Sequence, residues 1–355
     1  MSDELKKFRA QIDSIDDELL KLFNQRAKLA QQIGHAKNGS AVLRPEREAQ
    51  VLKRMQDANT GPLSAQSVNT LFTEIMSQCR ALEEPLSVAF LGPQGTFTEA
   101  AMIKRFGQAS KGVSSASIDE VFRKVESGEA SYGVVPVENS TEGAIGRTLD
   151  LLLQSPLKLC GEVQLAVHQC LLSQYKDLAK IKRVYSHPQS LGQCQDWLNT
   201  HLIHAERVSV ASNAEAAALA AKEKHSAAIA GKQAAERFGV EVQASNIEDD
   251  PRNTTRFLVI GNQDVATSGQ DKTSLVMSAA NRPGAVHDLL VPFAKHGVSM
   301  SKLESRPAKS GLWEYVFFVD IEGHQTDKKV AAALKELKDV AAFVKILGSY
   351  PVASI

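Results

Sequence analysis

Cysteine is scarce in this chain, and an excess of either charge is missing altogether. Only Cys79, Cys160, Cys170 and Cys194 occur in 355 residues, and no two are spaced as a metal-ligand pair. The expectation is therefore four reduced, mostly structural thiols, as in a reducing compartment. Lys plus Arg and Asp plus Glu both total 41, and no long basic run appears. That balance argues against nucleic acid or an anionic membrane as the main partner, and no helix pair with a basic face suggests DNA binding. Apolar stretches never approach the length of a membrane span, since the alanine-rich run 214–221 is broken by Glu215 and bounded by Lys222. The charged start from Met1 to Lys7 does not read as a secretory leader. What is present, 43% hydrophobic and 23% charged residues, is the composition of a globular cytoplasmic protein, and the length exceeds one ordinary core. Two or three domains are expected.

The first 85 residues carry a helical pattern. From Leu5 through Phe8, Ile12, Ile15, Leu19, Leu22 and Phe23 to Ile33, apolar side chains recur at spacings of three and four. A helix of about thirty residues is about 45 Å long, too long to bury its stripe within so small a unit, so an intertwined helical dimer is expected. Pro45 suits the first turn of a second helix, Asn59-Thr60-Gly61-Pro62 stops it, and Ser64 starts a third that ends before Pro85. Cations interrupt these helices at Arg9, Arg26, Lys37, Arg44 and Arg47, the last followed by Glu48. On spacing alone they read as solvated faces.

The central part repeats one arrangement, a strand end running into a helix start. Gly92-Pro93-Gln94-Gly95-Thr96-Phe97-Thr98 follows an apolar strand and precedes a helix from about Glu99 to Phe106. Such a corner is either a plain tight turn or a place where a carboxylate docks beside the Thr96 and Thr98 hydroxyls at a helix N-terminus. Val135-Pro136-Val137-Glu138-Asn139-Ser140-Thr141 and Ser186-His187-Pro188-Gln189-Ser190-Leu191-Gly192-Gln193-Cys194 repeat the pattern. Thr255-Arg256-Phe257 follows the turn signals 249–254, and alternation predicts Thr255 and Phe257 on one side of a strand with Arg256 on the other. Taken alone it is an ordinary edge strand. Polar groups gathered at several strand ends nevertheless suit a ligand bound outside an open α/β sheet.

After a polar linker at 266–271, the remainder reads strand, helix, strand, strand, helix, strand, a ferredoxin-like order. Strands are predicted near Thr273–Ala279, Val298–Glu304, Trp313–Ile321 and Ala341–Ser349.

The segment from about Leu86 to Asn262 resembles prephenate dehydratases through Gly-Pro-x-Gly-Thr-Phe, Ser-His-Pro-Gln and Thr-Arg-Phe, all intact here. The resemblance implies two α/β lobes arranged like a type II periplasmic binding protein, with substrate in the cleft and Thr255 as the catalytic residue. Thr96, Phe97, Glu138, Asn139, Ser140 and Thr141 would contribute to binding, together with Ser186, His187, Gln189, Arg256 and Phe257. Arg256 could instead brace its loop by an ion pair. The first 85 residues resemble the all-helical chorismate mutases, which implies that Arg9 reaches in from the other protomer and that Arg26 and Arg47 hold carboxylates. Lys37 would serve the ether oxygen and Glu48 the substrate hydroxyl. Cys79 and Glu83 stand where the best-known pattern has a serine and a glutamine. A carboxylate would repel charge developing on the ether oxygen, so Glu83 is expected to act protonated. Arg44 stands where some relatives carry an aspartate. Residues 272–355 resemble the ACT domain attached to prephenate dehydratases. Asn281, Pro283, Gly284, Ala285 and Val286, with Glu304, Ser305 and Arg306, would hold an amino acid, expected to be phenylalanine; a mere dimerisation module is the plainer reading.

These resemblances imply a multidomain chain: an all-α mutase domain at 1–85, a two-lobed α/β dehydratase domain at 86–265 and an α+β ferredoxin-like ACT domain at 272–355. Chorismate would become prephenate and then phenylpyruvate, with feedback by phenylalanine. No cofactor or metal is expected, and a homodimer or homotetramer is. Alternatives are a central domain acting on arogenate, a non-catalytic sensor, or a scaffold whose helices only dimerise.

Overall fold

The computed structural model describes residues 3–36, 41–280, 282–308 and 315–353. They form two compact units, residues 1–86 with 106–111, and residues 87–105 with 112–355. In the first, α1 (Asp3–Ala36), α2 (Pro45–Asp57) and α3 (Ala65–Ala81) follow the expected pattern. Pro45 occupies the first turn of α2, and the Ser64 hydroxyl caps α3 by accepting from the Ser67 amide at 3.0 Å. No residue of α1 is buried, and Leu5, Phe8, Ile12, Ile15, Leu19, Leu22, Phe23 and Ile33 all face solvent.

The second unit opens with β1 (Ser87–Leu91), α4 (Phe97–Phe106), β2 (Lys111–Ser115), α5 (Ile118–Glu126), β3 (Tyr132–Asn139), β4 (Gly143–Ala144), α6 (Gly146–Gln154) and β5 (Lys158–Ala166). A second lobe follows as β6 (Cys170–Ser173), β7 (Arg183–Ser186), α7 (Pro188–Gln193), α8 (Gln195–His201), β8 (Glu206–Ser209), α9 (Asn213–Lys222), β9 (Ser226–Ala230), α10 (Lys232–Phe238) and β10 (Val242–Ser245). The chain then returns to the first lobe as β11 (Thr254–Gly261). The sheets run β2-β1-β3-β11-β5, with β4 on β3, and β10-β6-β9-β7-β8. The two crossings between lobes are stitched together: Gln169 N donates to Glu248 at 2.8 Å, Ile247 N to the Gln169 carbonyl at 3.0 Å, and Val167 N to the Asn253 carbonyl at 2.8 Å. This is the expected two-lobed α/β architecture.

The C-terminal part comprises β12 (Asp271–Ser278), α11 (Ala285–Lys295), β13 (Met300–Pro307), β14 (Tyr315–Glu322), α12 (Lys328–Val340) and β15 (Phe343–Pro351), in an antiparallel sheet β13-β14-β12-β15. One face packs on α11 and α12 through Leu275, Met277, Val319 and Ile321. The other is continuous with the core of the first lobe. Val276, Val316, Phe318, Leu347 and Tyr350 share a cluster with Val137, Leu149, Leu152, Leu159 and Leu258. A Cβ on Gly348 would lie 2.4 Å from the Leu159 carbonyl oxygen, so only glycine lets β15 approach β5 this closely. The linker at 266–271 therefore joins parts that share one core. β13 runs on to Pro307, past the expected end at Glu304, because Ser305, Arg306 and Pro307 continue to pair with β14.

All four cysteines are buried free thiols. Burial pushes Cys160 up to about 12 and also raises Cys170 and Cys194, so at neutral pH these three are protonated and unreactive. A thiol-reactive dye should leave them unlabelled in the native protein and label them after unfolding; fast native labelling of any of the three would contradict this packing.

Candidate active sites

In the helical unit, Arg9 and Arg47 are exposed, Arg26 and Glu83 half-buried, and Cys79 buried. Lys37 lies outside the described residues. Glu83 lies against α1, where a Cβ on Gly34 would come within 2.5 Å of its Cγ and push the Glu83 side chain aside. Glu48 forms an ion pair with Arg80, whose other arm donates to the Phe106 carbonyl at 2.6 Å. Arg80 escaped the sequence reading. Its signal is a cation on the inward side of α3, one residue from Cys79 and one turn before Glu83.

The second unit holds a cleft of about 330 Å³ between its lobes. Into it open the β1–α4 turn with Thr96, Phe97 and Thr98, the end of β3 with Asn139, and the start of β11 with Thr255. From the second lobe come His187, Gln189, Ser190 and Gln193 around α7, Asn213 at the start of α9, and Gln169 at the crossing. Because β11 runs antiparallel to β3, its first residues sit beside the last residues of β3, and Thr255 pairs with Asn139. The Asn139 amide group donates to Thr255 Oγ1 at 2.9 Å and to Asn253 Oδ1 at 2.9 Å. Asn139 Oδ1 accepts from the Thr141 backbone N–H at 3.0 Å and its hydroxyl at 2.6 Å. A backbone N–H can only donate, so Thr141 fixes which end of the Asn139 amide faces Thr255.

On the opposite wall, Ser190 Oγ accepts from Asn213 at 2.8 Å and Gln169 at 3.1 Å. Gln169 Oε1 and Gln193 Nε2 are buried without a protein partner, and both residues line the cleft. Unpaired buried polar atoms carry a desolvation cost that a polar ligand would offset. No Lys or Arg is among the cleft-lining residues. The cleft's polar lining is hydroxyls, amides and the His187 ring instead. The Thr96 hydroxyl is spent on its own corner, donating to the Leu91 carbonyl at 3.1 Å and accepting from Glu99 N at 3.4 Å.

Several expected binding residues sit elsewhere. Ser186 is fully buried and bonds the Ile229 carbonyl and Asn213, so it shapes the site from behind. Phe257 lies in the core, and a bulge in the β3 pairing falls between it and Arg256. The Ser140 hydroxyl accepts from Thr254 N at 2.9 Å. Glu138 and Arg256 point to the far face of the sheet. Strand alternation forces this, since Asn139 and Thr255 take the cleft side. Gln169 and Asn213 were missed because neither belongs to a local motif; each reaches the cleft only through the lobe arrangement.

In the C-terminal part, Ala285 and Val286 line a cavity with Arg282, Tyr315 and Phe317. Pro283 and Gly284 precede α11, and Gly284 takes φ 78°. Arg306 bonds Asp150 of α6 at 3.3 Å, Glu304 is half-buried and Ser305 exposed on β13, and Asn281 lies outside the described residues. Among the described residues no helix is long and apolar enough to cross a membrane, and no cluster of His, Cys, Asp or Glu could hold a metal.

An all-helical unit, a two-lobed cleft lined by a threonine–asparagine pair, and a ferredoxin-like sheet define a multidomain enzyme of small-molecule metabolism. Residues 8–84 match the family model Chorismate mutase type II, residues 88–265 Prephenate dehydratase, and residues 273–339 ACT domain. A bifunctional chorismate mutase/prephenate dehydratase from Neisseria gonorrhoeae is 54% identical over 348 residues, 97% of this chain and 96% of that one. One from Pseudomonas aeruginosa is 49% identical over 359 residues, 99% and 98% of the two chains. The solved prephenate dehydratase from Arthrobacter aurescens in complex with L-Phe has a TM-score of 0.69 and 34% identity, covering 75% of this chain and 90% of that one. This chain belongs to the bifunctional chorismate mutase/prephenate dehydratase family, with both activities and an ACT domain.

Proposed function

We propose that Thr255 donates the hydrogen bond that carries the dehydratase step, and the observation behind this is the Asn139–Thr255 contact at 2.9 Å. With an Asn139 N–H occupying a lone pair of Oγ1, the Thr255 proton is left for another acceptor, the departing ring hydroxyl. The bond from ring carbon to carboxylate breaks, its electron pair enters the ring, and the ring hydroxyl departs as hydroxide held by the Thr255 hydrogen bond and takes a proton from solvent to become water, while carbon dioxide is released. Aromatisation supplies the driving force. The unpaired Gln193 Nε2, the Ser190 hydroxyl and the starts of α4 and α9 hold the substrate's carboxylate oxygens, while Gln169 Oε1 is open to a substrate hydroxyl. The experiment is a Thr255→Ala assay on prephenate, with Asn139→Ala expected to follow it.

In the mutase, Arg9, Arg26, Lys37 and Arg47 hold the two carboxylates and the ether oxygen of chorismate, with Glu48, Cys79 and Glu83 completing the site. A second copy of this chain covers the exposed stripe of α1 and delivers its own Arg9, so the protein works as a dimer or a dimer of dimers. Glu83 stands at the ether oxygen. Glu83→Gln, which puts an uncharged N–H donor there, should keep or raise mutase kcat/KM, whereas Glu83→Ala should lower it; unchanged mutase activity in Glu83→Ala counts against this role. Phenylalanine binds the ACT domain at the turn before α11 and at β13, next to a second protomer, and lowers dehydratase activity. Reduced, buried thiols and metabolite substrates suit the cytoplasm.

A further inference from the structure

The two strands that carry Asn139 and Thr255 are gripped from behind. Next to each cleft residue stands a charged neighbour on the opposite face, Glu138 on β3 and Arg256 on β11, and these two are paired in register. Neither reaches the cleft; both reach the ACT sheet. Lys302 of β13 donates to Glu138 Oε2 at 2.8 Å. Arg256 donates to Asp320 of β14 at 2.6 Å, to the Tyr350 hydroxyl of β15 at 3.0 Å and to Glu162 of β5 at 2.8 Å. Glu162 in turn accepts from Lys272 of β12 at 2.9 Å, and Ser274 bonds both Asp320 and Tyr350. Burial first, then Asp320, pushes the Tyr350 phenol well above its usual range, so it remains neutral.

Arg256, Lys272 and Lys302 thus face Glu138, Glu162 and Asp320, and except for half-buried Glu138 all have side chains at most 13% exposed. The surrounding contact is apolar, with both domains sharing one buried cluster. Buried charge adds little net stability at a high desolvation cost, but it fixes register sharply. Here the register being fixed is that of the strands bearing Thr255 and Asn139. β13, which supplies Lys302, also carries Glu304 and Ser305, where phenylalanine is placed above.

We propose that Glu138 and Arg256 are positioning residues through which the ACT sheet sets the Asn139–Thr255 geometry, with Lys302–Glu138 and Asp320–Arg256 as the two links. The regulatory half of this rests on the reading that phenylalanine binds the ACT domain. A ligand that shifts β13 moves Lys302, hence Glu138, hence the neighbouring Asn139 amide that holds the Thr255 hydroxyl.

The test uses the full chain carrying Lys302→Met, with Lys302→Arg as the conservative rescue and Lys345→Met as a control. Lys345 ties β15 to the Leu152, Leu153 and Ser155 carbonyls at 2.7–2.9 Å and touches neither catalytic strand. Dehydratase kcat, KM, phenylalanine inhibition and calorimetric phenylalanine binding are read for each. Lys302→Met should lower kcat roughly tenfold with KM within about twofold, because a small misplacement of a catalytic group acts on turnover. It should still bind phenylalanine with affinity within about threefold of wild type yet lose most of the inhibition, and Lys302→Arg should restore both properties. Lys345→Met should lower the melting temperature and keep wild-type kcat and inhibition. Unchanged kcat and inhibition in Lys302→Met, or equal uncoupling by Lys345→Met, overturns the proposal. If the wild type itself binds no phenylalanine, the regulatory reading fails instead, and the kcat comparison still decides the positioning role.

Discussion

Thr255→Ala should lower dehydratase kcat by about 10²–10³-fold, the usual cost of removing one hydrogen-bond donor to a developing negative charge, while mutase activity stays within a few-fold. The separation is structural: Thr255 lies in the unit formed by residues 87–105 and 112–355, and the mutase helices lie in the other. Folding should survive, because leaving one Asn139 N–H without its partner costs about 1–3 kcal/mol and the strand's core residues Phe257, Leu258 and Ile260 are untouched. Arg9→Ala should do the reverse, draining the mutase alone. Following chorismate loss by absorbance and phenylpyruvate formation from prephenate in the same preparations gives both rates. A Thr255→Ala protein that keeps most of its dehydratase kcat reduces Thr255 to an ordinary strand residue.

Ending the chain at Val265 should destroy the dehydratase as a folded body rather than release it from regulation. The linker composition suggests a clean cut, but the packing does not allow one. Removal takes Val276, Val316, Phe318, Leu347 and Tyr350 out of a core shared with Leu149, Leu152, Leu159 and Leu258. At roughly 1.5–3 kcal/mol for each large apolar side chain, the loss is on the order of 10 kcal/mol, as large as the whole stability of a typical domain. Glu162, whose side chain is fully buried, would also lose Lys272. We expect the shortened chain to be insoluble, or soluble without a cooperative melting transition, and to retain at most mutase activity. A well-folded, fully active shortened dehydratase would show that the shared core is dispensable. The same packing makes point substitutions, not truncation, the sound way to probe feedback.

Local chemistry was legible wherever it is written in consecutive residues. The stripe from Leu5 to Ile33, Pro45 at a helix start, Ser64 as a cap and the strand–helix alternation after the linker all appear as expected. These signals come from backbone geometry and side-chain periodicity, which act over a few residues. The three motif clusters of the cleft were legible as well: 92–98 and 186–194 are strand ends meeting a helix start as expected, whereas 135–141 turns from β3 into the short antiparallel strand β4 instead of a helix. Arg256 was half legible. Alternation told that it opposes Thr255, but not what stands on the far side.

The sequence by itself determined the three-part order, the helical character of the first part and the identities of Thr255 and Asn139 as neighbours of turns. Only the tertiary structure decided that an antiparallel β11 brings residues 116 apart into one hydrogen bond, that Gln169 and Asn213 complete the cleft, and that Glu138 and Arg256 serve the ACT sheet instead of the substrate. The physical reason is that pairing register and lobe closure are set by buried contacts distant in the chain, and no local pattern encodes which face of a strand another domain will cover.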